Sequence, residues 1–190
     1  MGRSSDSTVN VFYFHLFIVF LATVIPTIAR SSDDCVYTLY VRTGSIFKGG
    51  TDSKMSVTLY DNQGWGIQIN NIESWGGLMG KDYDYFERGN LDIFSGRASC
   101  LTGPICALNL TSDGSGSHHG WYCNYVEVTS TGAHQTCSQQ LFTVEQWLAT
   151  DTYPYELTAF INNCGSSDLS KIRDPAMING RDDEAAVSAM

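Results

Sequence analysis

Basic residues are scarce in this chain: Lys and Arg number 11 against 20 Asp and Glu, a formal net charge of -9. That balance excludes a nucleic-acid partner, because phosphate contacts need stripes of Lys and Arg and no basic run exists. Catalytic signatures are missing as well. HExxH, GxSxG and a P-loop do not occur, and Gly114-x-Gly116 lacks the third glycine and the strand-to-helix setting of a dinucleotide turn. Ser, His and Asp are present, but no spacing picks out a triad. The absence of CxxC argues against zinc ribbons and thioredoxin-type chemistry. Helical periodicity is nearly absent, and no internal repeat is visible. After residue 29 no apolar run approaches the ~20 residues that a membrane-spanning helix needs.

What is present begins with a leader. Residues 11–29 carry no charge and are rich in Phe, Leu, Ile and Val; Arg3 precedes them, and the small residues Thr27 and Ala29 close them. This pattern predicts a secretory signal peptide over residues 1–29. A retained membrane anchor is the alternative, weakened by His15 and Pro26. The polar stretch 165–190, with Pro175, Gly180 and the acidic run Asp182-Asp183-Glu184, is too poor in large apolar residues to pack alone and is expected to be a disordered tail. The folded domain is then 30–164.

Six cysteines follow the leader: Cys35, Cys100, Cys106, Cys123, Cys137 and Cys164. An even count behind a signal peptide suggests disulfides. Proximity favours Cys100–Cys106 around a loop with Gly103 and Pro104. Cys35 and Cys164 bracket the domain and are a plausible pair, which leaves Cys123 and Cys137 to join each other or stay reduced.

Alternation of period two marks strands. Tyr37, Leu39 and Val41 alternate with Thr38, Tyr40 and Arg42 in the first strand. Met55, Val57 and Leu59 mark a second, and Ile67 and Ile69 a third. A fourth lies around 91–94 and a fifth over 105–110. Residues 120–149 read as a hairpin of two aromatic and β-branched arms around a polar turn holding Gly132, giving strands six and seven; Trp121 and Trp147 are expected in the core. Leu157, Ala159 and Ile161 give an eighth. About eight short strands with frequent turn signals indicate an antiparallel β-sandwich or barrel.

At this point the residues resemble a known family. The run from Cys35 to Gly44, the loop Gly50-Thr51-Asp52-Ser53 ahead of Val57, the stretch from Phe86 to Asp92, and Gly120-Trp121-Tyr122 with Val126-Glu127-Val128 and Gln146-Trp147-Leu148 look like a PLAT/LH2 domain. That is the β-sandwich found at one end of lipoxygenases, in lipases and in a bacterial phospholipase toxin. The match covers roughly residues 34–164. A leader, a single domain and the run from Asp82 to Arg97 look like the plant stress-associated PLAT group. The resemblance implies two four-stranded antiparallel sheets, no catalytic activity in the domain itself, a role in stress tolerance, and residence in the endoplasmic reticulum or outside the cell.

Calcium is the cation that the resemblance implies, with ligands from the loop Gly50, Thr51 and Asp52 and from the loop after strand three, here Asn71 and Glu73. Lys48 departs from members that carry an acid at its place. On its own residues, the loop around Asp113 offers the same mix of carboxylate, hydroxyl and carbonyl oxygens, and calcium takes about six to eight of these. The alternative is that Asp52 and Asp113 only cap turns. Trp65 and Trp75, beside glycines in or near loops, are candidates for lipid or partner contact, since an indole suits an interface; core packing is the alternative. His118 and His119 are adjacent and would point to opposite faces, so they are poor co-ligands and read as a solvated loop; His134 is expected to face water. Asn109-Leu110-Thr111 is the one glycosylation sequon; burial of Asn109 within its strand is the alternative. The function expected is a secretory-pathway, non-catalytic PLAT domain that binds a membrane lipid surface or a protein partner, with or without calcium. A protein-interaction module that touches neither lipid nor calcium is the rival.

Overall fold

A computed structural model describes residues 34–133 and 135–165. The leader over 1–29, the tail from residue 166 and His134 lie outside the described residues. The expected eight strands are β1 (Asp34–Thr43), β2 (Met55–Asp61), β3 (Gly66–Ile69), β4 (Leu91–Ser99), β5 (Ile105–Ser112), β6 (Trp121–Gly132), β7 (Ser138–Leu148) and β8 (Thr158–Asn162). They form two four-stranded sheets, ordered β4-β1-β6-β7 and β3-β2-β5-β8, with every pair antiparallel.

Alternation decides which face of each strand is dry. In β1, Cys35, Tyr37, Leu39 and Val41 are buried while the residues between them are half-exposed, so the period of two read from the sequence is the period of burial. The inner faces meet around Trp121, Phe94, Phe142, Leu39, Leu59, Leu108 and Leu110, all fully buried. Trp121 is fixed on both counts that matter for a buried indole. Its ring meets Phe86 edge-on at 5.4 Å, and its Nε1 donates to the buried Thr43 Oγ1 at 2.9 Å, which removes the cost of an unpaired donor.

Between β3 and β4 the chain makes a single-turn helix, α1 (Ile72–Gly76), capped by Asn71, whose Oδ1 accepts from the Ser74 N–H. Trp147 is half-exposed rather than core. It pairs with Tyr122, whereas Trp121 pairs with Leu148; pairing places partners on one face, so Trp147 goes outward with Tyr122. Gly132 is a strand residue opposite Cys35, not the turn. A Cβ there would collide with the Cys35 sulfur, so this glycine is required for space and not for backbone conformation.

The cysteines pair differently from the proximity expectation: Cys35–Cys100 and Cys106–Cys164 are the disulfides, and Cys123 and Cys137 are free. Cys100 and Cys106 are close in sequence but flank the crossing from one sheet to the other. Cys100 follows β4, whose neighbour β1 carries Cys35 opposite Ala98. Cys106 lies on β5, beside β8 and the Cys164 that follows it. Cys123 pairs with Gln146 while Ser138, next to Cys137, pairs with Ser130, so at ~3.3 Å per residue the two thiols sit near opposite ends of the hairpin. Burial, and then the Glu145 carboxylate, push the Cys123 thiol well above its ordinary pKa, which makes it an inert core residue.

Candidate cation and docking site

Antiparallel pairing brings four connections to one end of the sandwich. β1 ends beside the start of β4 and β6; β2 starts beside the ends of β5 and β3; β8 starts beside the end of β5. Residues 44–54, 70–90, 113–120 and 149–157 therefore share that end, and backbone bonds stitch them together. Thr51 N–H donates to the Phe86 carbonyl at 3.2 Å, Asp52 N–H to the His118 carbonyl at 3.3 Å, and Tyr122 N–H to the Gly49 carbonyl at 3.0 Å. Gly50 permits the closest approach: a Cβ there would lie 2.8 Å from the Arg88 nitrogen.

This approach assembles a carboxylate cluster. Asp52, Asp84 and Glu87 each place a carboxylate oxygen within 4.8 Å of the others; Asp52 and Asp84 are exposed and Glu87 is half-buried. Oxygens held about 2.4 Å from one calcium ion lie up to roughly 4.8 Å apart, and calcium takes only oxygen ligands in such sites, so donor type and spacing both fit. Asp84 and Glu87 were not singled out from the sequence, although acids interleaved with aromatics over 82–87 are the signal that could have found them. Tyr85 and Phe86 are buried. Phe86 stacks on Phe94 at 5.5 Å, and Tyr85 packs against Phe94 at 5.1 Å. The aromatics anchor the loop inward and leave the acids outward.

Asp92 sets the shape of that loop. Its carboxylate is fully buried and accepts from the Phe86 N–H at 2.7 Å and the Tyr83 hydroxyl at 3.1 Å. Phe86 has φ 60, a left-handed conformation that a bulky residue holds only when its surroundings impose it; here the buried carboxylate and the ring stack do so. Burial raises the Asp92 pKa, in spite of these two donors.

The other expected ligands lie elsewhere or are engaged. Thr51 is buried, its hydroxyl donating to the His118 carbonyl at 2.5 Å. Asn71 caps α1 with its Oδ1 and Glu73 is exposed in its first turn; among the described residues Glu73 is not one of the carboxylates gathered with Asp52. Asp113 does share the end with Asp52, but its Oδ1 accepts from the Lys54 and Ser115 N–H groups at 3.0 and 2.9 Å. Desolvation works the other way, yet the hydrogen bonds from Ser115 and Lys54 and the Lys54 charge together hold its pKa below the ordinary carboxylate range. It is a turn cap here.

Ser117, His118 and Asp52 touch one another without forming a catalytic relay. Ser117 Oγ and Asp52 Oδ2 both meet the same His118 nitrogen, Nδ1, at 3.3 and 3.2 Å. A relay needs the carboxylate on one ring nitrogen and the nucleophile on the other. His119 turns away to Asp151, 3.8 Å distant.

The two tryptophans expected at an interface do not project from this end: Trp75 belongs to the connection 70–90 but turns its ring onto β4. Trp65 is 41% exposed, but it follows the β2–β3 turn at the opposite end. That turn is held by buried Asp61, which accepts from the N–H groups of Gln63, Trp65, Thr102 and Gly103 and from the Thr102 hydroxyl. Trp75 lies flat over Gly96, where a Cβ would come within 2.5 Å of the ring, and its Nε1 donates to the Arg97 carbonyl. Exposed apolar groups on the connections at the cluster's end include Ile46, Phe47, Leu78 and Met79, with Phe47 79% exposed at a turn closed by Gly49 N–H to the Ile46 carbonyl. Lys48 stands over the Phe47 ring at 5.8 Å. Tyr153 and Tyr155 are exposed on the fourth connection. A bulky aromatic beside a Lys-Gly-Gly run was the available sequence signal for Phe47. The sequon residue Asn109 is half-buried in β5, between Thr58 and Phe160.

Comparison with known proteins agrees with this architecture. The chain is 66% identical over 149 residues to PLAT domain-containing protein 1 of Arabidopsis thaliana, covering 78% of this chain and 82% of that protein. It is 59% identical over 155 residues to PLAT domain-containing protein 2 of the same plant, covering 82% and 85%. A crystal structure of coral 8R-lipoxygenase superposes with a TM-score of 0.48 at 19% identity, covering 67% of this chain and 16% of that one. The sequence pattern of the PLAT/LH2 domain matches residues 37–160, the span that holds nearly all of the sandwich, and the chain belongs to the PLAT/LH2 domain family.

Proposed function

We propose that this protein is a non-catalytic docking domain of the secretory pathway. Its four-loop end settles on a lipid surface with a calcium ion held by Asp52, Asp84 and Glu87. One observation carries the reading: a single connection, 44–54, presents both the exposed Phe47 and the Asp52 carboxylate that meets Asp84 and Glu87. An aromatic ring at a loop tip partitions into the headgroup region. A chain of net charge -9 is repelled by an anionic bilayer, and a bound cation with open coordination positions removes that obstacle by taking lipid phosphate oxygens as its remaining ligands. The two disulfides fit an oxidising compartment, in line with the leader read from residues 1–29. Among the described residues no helix is long and apolar enough to cross a membrane.

A protein partner is the second reading, favoured by Tyr153 and Tyr155, which stand exposed in edge contact at 6.3 Å. Co-sedimentation with vesicles of phosphatidylcholine and phosphatidylserine separates the two. The lipid reading expects pelleting in calcium and release by chelator. No pelleting in either condition sinks it and leaves the protein-partner reading.

A further inference from the structure

We infer that Asn109 carries an N-linked glycan whose first sugar lies on the outer face of the β3-β2-β5-β8 sheet against Phe160. The inference rests on the secretory route proposed above and is independent of calcium and lipid. Strand alternation supplies the first argument. Leu110 is fully buried, so the sequon residues on either side of it, Asn109 and Thr111, share the outward face. The neighbours supply the second. Asn109 pairs with Thr58 on one side and Phe160 on the other. Phe160 is 49% exposed, and its ring meets Tyr60 edge-on at 6.2 Å, which leaves an apolar surface beside the acceptor amide.

Unpaired polar atoms supply the third. Asn109 Oδ1 and Asn162 Nδ2 are buried without a hydrogen-bond partner. Asn162 pairs with Ala107, two residues along β5 from Asn109, so the two side chains are diagonal neighbours on this face. The orientation of Asn162 is set by its own Oδ1, which accepts from the Cys164 N–H at 2.8 Å. The unmet acceptor and donor mark a part of this face that the bare chain leaves unsatisfied, and the exposed Phe160 ring beside them is a surface on which the C–H face of a saccharide packs.

The chemistry is a group transfer from a lipid-diphosphate-linked oligosaccharide. Asn109 Nδ2 displaces the diphosphate at the anomeric carbon; the C–N bond forms, the C–O bond breaks, the lipid diphosphate leaves, and the amide proton passes to a base of the host transferase. The transfer precedes folding. In the folded chain Thr111 Oγ1 is paired with Thr158 Oγ1 at 3.1 Å and β5 is bonded on both sides, so the sequon is not free to enter an active site.

The test is intact mass, before and after peptide N-glycosidase, of the full chain secreted from a eukaryotic host behind a strong leader. Wild type is expected to lose a glycan mass on digestion; Asn109→Gln and Thr111→Ala are expected to show none. Phe160→Ser is expected to remain glycosylated but to lose the difference in Tm between glycosylated and digested protein. Secreted, disulfide-bonded wild type with unmodified Asn109 overturns the inference. An equal Tm difference in wild type and Phe160→Ser overturns the placement on Phe160. If only the added leader gives export and modification, Asn109 is an acceptor and it is the secretory reading of residues 1–29 that fails.

Discussion

Replacing Phe47 by alanine isolates the apolar part of the proposed docking. Complete burial of a Phe side chain contributes roughly 1.5–3 kcal/mol. Phe47 is 79% exposed, so inserting what is still wet stabilises the bound state by about 1.2–2.4 kcal/mol. At about 1.4 kcal/mol per tenfold, that is a loss of about 7- to 50-fold in vesicle affinity. The protein itself should hardly notice: an exposed side chain at a turn carries stability effects within about 0.5 kcal/mol. Calcium affinity measured without lipid should also be unchanged, because the ring takes no part in the carboxylate cluster. Vesicle titration of wild type and Phe47→Ala in saturating calcium, with melts of both, makes the comparison. A change of twofold or less would refute the insertion of this loop, and an equal loss in chelator would refute its link to the cation.

Two further outcomes test the scaffold. Cys35–Cys100 and Cys106–Cys164 close loops with sequence separations of 65 and 58, for which chain entropy gives about 4 kcal/mol each as an upper figure; replacing either pair with serine should lower the denaturant midpoint, while Cys137→Ser should leave it unchanged. Asp92 gives a pH signature. Its folded pKa is raised by burial, so the folded state binds the proton first. Its contribution to stability is fully present below the unfolded value near ~3.9 and is lost as pH rises through the folded value. Asn at this position never titrates, so the Tm of wild type minus that of Asp92→Asn should grow as pH falls from ~7 toward ~4. A flat difference, or one that grows toward alkali, contradicts the assignment.

How much of this was legible in the sequence differs by residue type. Strand residues were, because burial and alternation are the same event: Tyr37, Leu39 and Val41 face the core for the reason that Thr38 and Tyr40 do not. The convergence of the loops around Asp52 and Asp113 also follows from any antiparallel sandwich. The disulfide pairings, each within one sheet, were not legible. Cys100 and Cys106 are neighbours in the chain, yet the crossing between them sends one to β1 and the other to the strand end at Cys164. Trp147 went wrong although the alternation of its own strand is regular: Phe142, Val144 and Leu148 are buried, so Trp147 takes the opposite face with Thr143 and Glu145. Asp84 and Glu87 were hidden because their placement depends on the left-handed Phe86 and on Gly50 letting two loops touch, neither of which has a periodic signal. The capping role of Asn71 was not legible because a short polar side chain after a strand reads alike as a ligand and as a helix cap.

The central claim, a calcium ion on Asp52, Asp84 and Glu87, is tested most directly by calorimetric titration of the protein with calcium. Wild type should give a single saturable site. Asp52→Ala and Asp84→Asn should each weaken it at least tenfold, while Glu73→Gln and Asp113→Asn should leave it intact. No heat in the wild type, or a loss in Glu73→Gln with Asp84→Asn unaffected, would contradict the account.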